Sequence, residues 1–306
     1  MGLTSPYPPD RGHVLTEQRL AASERLDLMD TPDILRAISD ADHEVAPAVA
    51  RELLHIAAFV DLVHPRLARG GRLIYLGAGT SGRLGVLDAS ECPPTFQTDP
   101  STVIGLIAGG DAALRRSSEH REDEPHGAHP ELDRLAVGPD DAVLGIAAGG
   151  TTPYVLGGVE HAHARGAATG LLVCTPMDRP AWCDALISVK SGPEVVTGST
   201  RMKAGTATKM VLNMISTASM VRLNKTYGGL MVDLRATNDK LRDRAARIVS
   251  AVCGVDRDTA FTLLDRAGGH AKVAAVMGTR GIDRAAAEQL LERHGGRLRD
   301  AIGGES

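Results

Sequence analysis

The chain has 306 residues, a formal net charge of −4 and only 3% aromatic residues. That length holds one large α/β domain with an appendage, or two modest domains. The sparse aromatics and the lack of basic excess argue against a nucleic-acid surface. No apolar run approaches the ~18 residues of a membrane span. The four cysteines (Cys92, Cys174, Cys183, Cys253) contain no C-x-x-C pair and read as reduced thiols of a cytoplasmic chain rather than zinc ligands.

Residues 1–14 are polar and proline-rich and read as a mobile tail. From Ser23 to Arg69 apolar residues recur at helical spacing. Thr31-Pro32-Asp33 is a helix start with a cap and then proline, a break falls near Pro47, and Gly70-Gly71 closes the segment. The period then changes. "RLIYLGAG" reads as a buried strand, and "RLGVLDASECPP" as a helix stopping before Pro93-Pro94. "TVIGLIAGG" is a second strand, followed by a polar helix or loop, "DAALRRSSEHREDE". "DAVLGIAAGG" is a third, with the helix "TPYVLGGVEHAHARG" after it. "ATGLLVCTP" and "DALISVKSG" complete five strands, and the apolar helix after "TGSTR" reads as central and buried. Strands alternating with helices predict a three-layer α/β sandwich with a mostly parallel sheet. From Val255 three short helical units, each ended by glycine, predict a small three-helix subdomain at 250–303. The sheet-bearing domain with its N-terminal helices is expected at 15–245.

Ligands of such sheets bind at the carboxyl ends of the strands. Three glycine-rich loops lie there: after Leu76, after Ala148 and around Gly198. The first, with Gly77, Gly79 and Gly82, fits G-x-G-x-x-G. A tight turn, a dinucleotide site and a cradle for a smaller phosphate all satisfy that pattern. A dinucleotide needs an acid about 20 residues on for the ribose; the next strand ends instead in Ala108-Gly109-Gly110. Thr80 and Ser81 add hydroxyls to the first loop. The third loop offers Thr197, Ser199, Thr200 and the charge of Lys203 at the start of a helix, an arrangement suited to an anion. The second contributes the amides of Gly150 and Thr151.

Two acids stand out near the first loop. Asp88 and Glu91 lie on the helix that leaves it, Glu91 about three turns on and just before the double proline. A carboxylate facing the unfavourable end of a helix dipole suits a general acid; the alternative is a surface acid. Glu119, Glu122, Asp123 and Glu124 form an acidic run whose spacing singles out no member. His161 and His163 lack the i, i+4 spacing of a helical metal pair, so no metal is expected.

The blocks "GRLIYLGAGTSGRLGVLDASECPPT", "GLIAGG", "TPYV", "GPEVVTGSTRMKAGTATKMVLNMISTASM" and "GGLMVDLRATNDKL" resemble the N-acetylmuramic acid 6-phosphate etherase family of the sugar isomerase (SIS) fold group, from about Leu15 to Ile302. The resemblance implies cleavage of a D-lactyl ether from a sugar phosphate with two carboxyl groups and no cofactor. It implies catalytic roles for Glu91 and Glu122, the second by alignment from the preceding strand. It implies a phosphate site among Gly79, Thr80, Ser81, Gly82, Gly150, Thr151, Ser199, Thr200 and Lys203. A homodimer is implied as well. Three departures stand against it: "GGTTPY" (Gly149–Tyr154) where the family usually has "SGRTPY", Leu20 in "TEQRL" for a polar residue, and His120-Arg121 for small residues. The competing reading is a non-catalytic sugar-phosphate sensor like the glucokinase regulatory protein.

Overall fold

A computed structural model describes residues 10–116, 118–234 and 238–303, with Glu119 described in its backbone only. The tail read at 1–14 therefore lies outside the described residues up to Pro9, and its last residue, Val14, is buried. The chain divides into two compact units, one of residues 1–89 and 102–215, the other of residues 90–101 and 216–306.

In the first unit the chain enters through α1 (Thr31–Asp42), α2 (Val45–Ala50) and α3 (Leu53–Ala68). The cap of α1 is one residue earlier than Thr31: the Asp30 carboxylate accepts from the Asp33 amide at 3.0 Å. Strand β1 (Leu73–Gly77) leads into α4 (Gly79–Phe96), then β2 (Val103–Ile107), α5 (His129–Arg134) and β3 (Ala142–Ile146). Helix α6 (Pro153–Ala164), β4 (Ala168–Val173), β5 (Ala185–Ser188) and α7 (Lys203–Arg222) follow. The five strands form one sheet in the order β2-β1-β3-β4-β5, every pair parallel. β1, β3 and β4 are buried throughout, as the apolar runs of a covered parallel sheet require.

Alternation along the strands sorts the helices into layers. A side chain at Gly170 would collide with Phe59 of α3, and one at Gly105 or Gly85 would meet Val86 of α4 or Tyr75 of β1. Gly145, one residue on from Leu144, faces the other way, against Val155 and Val159 of α6. Ile74, Leu76, Val143 and Leu171 share that second face with Ala128 and Leu132 beside α5. The sheet thus lies between α3 and α4 on one side and α5 and α6 on the other, a three-layer α/β sandwich.

Two elements differ from the sequence reading. Helix α4 does not stop before the double proline but runs through Pro93 and Pro94 to Phe96. Each proline removes one amide from the ladder. The last turn persists because Cys92 and Phe96 are buried on it and the Gln97 amide closes it onto the Pro93 carbonyl at 2.9 Å. Glu91 consequently stands five residues before the helix end, outside the last turn where the dipole acts. The polar stretch after β2 forms two short 3-10 turns, Asp111–Leu114 and Glu119–Arg121, with α5 beyond them.

The second unit holds α8 (Asp239–Cys253), α9 (Arg257–Arg266), α10 (Ala271–Arg280), α11 (Arg284–Arg293) and α12 (Leu298–Ile302). The three helices read from the sequence are α9, α10 and α11; α8 and α12 bury Ala245, Ala246, Val249, Leu298 and Ala301 in the same core. Asn238, Asp256 and Asp283 cap three N-termini by accepting from the third residue on, and Gly254, Gly281 and Gly303 end helices with left-handed backbone.

Candidate active site

The strand order places a topological switch between β1 and β3: the chain leaves β1 toward β2 on one side and returns to build β3 to β5 on the other. Ligands of open parallel sheets bind outside the carboxyl ends at such a point. The Gly77–Gly82 loop stands there and is built by close approach. A side chain at Gly77 would lie 2.6 Å from the Gly82 nitrogen, and one at Gly82 would lie 2.6 Å from Ile107 Cγ1. Gly79, at φ +51°, is the first residue of α4. The first amides of a helix have no partner within it, so Gly79, Thr80 and Ser81 present N–H groups and two half-buried hydroxyls where the dipole favours negative charge.

Glu122 is brought to this loop from a distant part of the chain. Its Oε1 lies 3.2 Å from the position of a Cβ on Gly79. The backbone explains the delivery. The Tyr154 amide at the start of α6 donates to the Glu122 carbonyl at 3.0 Å, and Gly157 accepts the chain so closely that any side chain would strike the Pro125 carbonyl. The segment after β2 is pinned to α6, across the switch from the loop it faces.

Helix α7 approaches the same loop. A Cβ on Gly205 would lie 3.5 Å from Thr80 Cγ2 and 3.4 Å from the Thr200 carbonyl, so Thr80 and the Ser199–Thr200 turn are neighbours. The amides at the head of α7 are already engaged, however. Glu194, fully buried, accepts from the Lys203 amide at 2.9 Å through Oε2 and from the Ala204 amide at 3.0 Å through Oε1. Burial pushes the Glu194 carboxyl above its ordinary range, and the two amides and Lys203 pull it back. The Lys203 ammonium is buried too, 3.1 Å from Glu44 Oε2 above the left-handed Gly192. The structure therefore brings together Gly79, Thr80, Ser81, Gly82, Glu122 and the Ser199–Thr200 turn, while the charge of Lys203 is committed to Glu44. Gly150, at φ +69°, and Thr151 stand at the end of β3, next to β1 in the sheet.

Glu91 is exposed on α4, in the part of that helix that belongs to the second unit. Asp88, one turn before it, is a tether. Tyr75 Oη donates to Asp88 Oδ2 at 2.8 Å, and Asn213 of α7 donates to Asp88 Oδ1 at 3.3 Å while accepting from Lys209 at 2.9 Å. Cys174 and Cys183 offer no ready thiolate: burial raises Cys174 to about 12 and Cys183 to about 11. Among the described residues no group of three or more His, Cys, Asp or Glu converges on a metal position. No described helix is long and apolar enough to cross a membrane.

A family model for the N-terminal SIS domain of glucokinase regulatory protein matches residues 55–163. The chain is 52% identical over 271 residues to the N-acetylmuramic acid 6-phosphate etherase of Parasynechococcus marenigrum, covering 88% of this chain and 86% of that one. It is 53% identical over 266 residues to the etherase of Mycolicibacterium smegmatis, covering 86% and 88%. The chain belongs to the N-acetylmuramic acid 6-phosphate etherase family. For an etherase of this fold, sequence reasoning missed Glu194. No pattern links a carboxylate to amides nine and ten residues later, since local capping pairs lie within three residues. It also missed the turn Val14–Glu17, whose Leu15 amide and Thr16 and Glu17 side chains meet loops more than 130 residues later.

Proposed function

We propose that the chain cleaves the D-lactyl ether of N-acetylmuramic acid 6-phosphate to N-acetylglucosamine 6-phosphate and D-lactate, a carbon–oxygen lyase of cell-wall amino-sugar recycling in the cytoplasm. The observation that carries this reading is the Glu122 carboxylate standing against Gly79, the first residue of a helix whose free amides and hydroxyls suit a phosphate. In the open-chain sugar the C2 proton is α to an aldehyde, acidic enough for a carboxylate base. Glu122 takes that proton, the C3–oxygen bond breaks, and lactate leaves with a proton from Glu91. The unsaturated aldehyde then adds water at C3, with Glu91 accepting the water's proton and Glu122 returning its proton to C2. Gly79 to Gly82, Ser199 and Thr200 hold the phosphate, with Gly150 and Thr151 at the neighbouring strand end.

The resemblance to this fold group implies a homodimer with its sites near the interface, and we place Glu91 of one copy at the substrate held by the Gly79 loop of a second. Incubation with N-acetylmuramic acid 6-phosphate and an enzymatic assay for D-lactate tests the activity. Glu122→Gln and Glu91→Gln should each lower release by a factor of about 10²–10⁴. Mixed and reassembled, the two inactive variants should recover about a quarter of wild-type activity, since half the dimers then hold one intact site. No lactate from the wild type would move the chain to the sensor reading. Activity in the wild type with no recovery on mixing would return Glu91 to its own copy.

A further inference from the structure

A cavity of about 330 Å³ lies beside the segment that carries Glu122. Arg121 and Glu124, on either side of Glu122 in the chain, line it together with Ile107 and Gly110 at the end of β2, Glu131 of α5 and Tyr154 of α6. One wall is shared with the Gly77–Gly82 loop, since a side chain at Gly82 would lie 2.6 Å from Ile107 Cγ1.

Two polar side chains of the cavity have nothing to bond. Tyr154 is 3% exposed, yet its hydroxyl has no hydrogen-bond partner among the described residues. Glu131 is half-buried, and its carboxylate has neither a hydrogen bond nor an ion pair among them. Burial pushes the Glu131 carboxyl above its ordinary range, opposed by Arg134 and reinforced by Asp111. Burial also raises the Tyr154 phenol, and the nearby Glu131 adds to it, so the hydroxyl keeps its proton. The remaining charges in the wall are closed on each other: Arg121 Nη1 donates to the two Glu124 oxygens at 2.9 and 3.2 Å. Polar groups withdrawn from water without partners are destabilising, and phenylalanine would fill the place of Tyr154 without that cost. One group that donates, one that accepts and an apolar wall at Ile107 match a neutral secondary amide with a methyl group.

The reaction calls for such a group here. C2 of the sugar gives its proton to Glu122 and carries the acetamido nitrogen. That nitrogen is one bond from a carbon that must come within about 3–3.5 Å of the Glu122 carboxylate, so the acetamido group has to be housed beside the Glu122 segment.

We propose that the cavity is the acetamido subsite: the Glu131 carboxylate accepts from the N–H of the C2 acetamido group, and the Tyr154 hydroxyl donates to its carbonyl. The pair makes the site specific for 2-acetamido sugars. This rests on the reading that the Gly79 loop and Glu122 act on an N-acetylated sugar phosphate.

The test uses the full chain. Calorimetry measures binding of N-acetylglucosamine 6-phosphate, glucosamine 6-phosphate and glucose 6-phosphate, with thermal midpoint and lactate-release kinetics alongside. Wild type should prefer the N-acetylated sugar to glucose 6-phosphate by roughly a hundredfold. Tyr154→Phe and Glu131→Leu should each lower that preference about tenfold, leave glucose 6-phosphate binding within about twofold, and raise KM more than they lower kcat. Tyr154→Phe should melt no lower than wild type, and Glu131→Gln, which keeps an accepting oxygen, should retain most of the preference. Variants that lose all three sugar phosphates equally and melt several degrees lower overturn the proposal, making the pair structural. Tighter binding of glucosamine 6-phosphate than of the N-acetylated sugar, abolished by Glu131→Gln, also overturns it, because the cavity then holds an ammonium group. A wild type that releases lactate while Tyr154→Phe and Glu131→Leu keep its preference defeats this inference alone. A wild type that neither binds N-acetylglucosamine 6-phosphate nor releases lactate defeats it together with the activity on which it rests.

Discussion

Two long helices begin in loops of glycine and hydroxyl residues, and their N-termini are put to different uses. At the head of α7 the buried Glu194 carboxylate already occupies the anion position, accepting from the Lys203 and Ala204 amides. At the head of α4 the chain turns so tightly that no side chain fits at Gly77 or Gly82, and the turn stands at the switch point between β1 and β3. Both ends carry the same dipole and the same orphan donors. One is satisfied from within and holds the fold together; the other is the end to which we assign the phosphate. A hydroxyl-rich loop opening a helix is therefore not by itself evidence of a phosphate site, because a carboxylate from elsewhere in the chain can fill it first.

The sharpest way to break this contrast is at Glu194. Glu194→Ala leaves two amides uncapped at residues that are 1% and 0% exposed, which should lower stability by about 2–4 kcal/mol in urea unfolding. Inorganic phosphate should then stabilise the variant more than it stabilises the wild type, because the vacated position can bind it. Equal stabilisation of the two proteins would mean that the α7 terminus is no anion position at all. The converse change is at α4. Thr80→Val with Ser81→Ala removes both hydroxyls and keeps the Thr80 methyl against Gly205. It should raise KM for the sugar phosphate about tenfold and move the unfolding midpoint by less than about 0.5 kcal/mol. A large loss of stability with unchanged KM would exchange the roles assigned to the two helices.

Which of these features could be read in the chain follows from how far each interaction reaches. The five strands were legible because a sheet covered on both faces demands apolar runs, and the glycine stops of α9, α10 and α11 because left-handed C-caps are local. The Gly77–Gly82 loop was legible as a shape, not as a ligand. Helix α4 was read too short because burial of Cys92 and Phe96 outweighs two missing amides, and packing is not visible in a proline pair. Glu122 was reached only through family resemblance. Its approach to Gly79 depends on the Tyr154 amide and on Gly157, both more than thirty residues later. Glu194 acts across a distance in sequence that no motif records.

The smallest expected effect belongs to a region outside the site, on the α5–α6 face. His126, His129 and His161 form a stack, the His129 and His161 rings parallel within 10° at 3.9 Å and His126 edge-on to His129 at 4.8 Å. Asp133 lies 2.7 Å from His161 Nε2 and also pairs with Arg165. Burial lowers the His129 pKa below its ordinary 6.5, and the neighbouring His161 lowers it further. The unfolded chain, with an ordinary imidazole, then binds the proton more tightly than the folded one. Stability from this residue is complete above pH 6.5 and is lost as the pH falls from there through the depressed native value, with no further change below it. Urea midpoints measured from pH 7.5 to 5 should decline in the wild type, and His129→Gln should remove part of that decline while matching the wild type near pH 7.5. If the variant keeps the full wild-type slope, the pH response originates elsewhere. Protonation acts here chiefly by charging a ring that burial withdraws from water, with the neighbouring His161 opposing it further. The difference between the two slopes therefore measures the cost of placing that charge on the α5–α6 face.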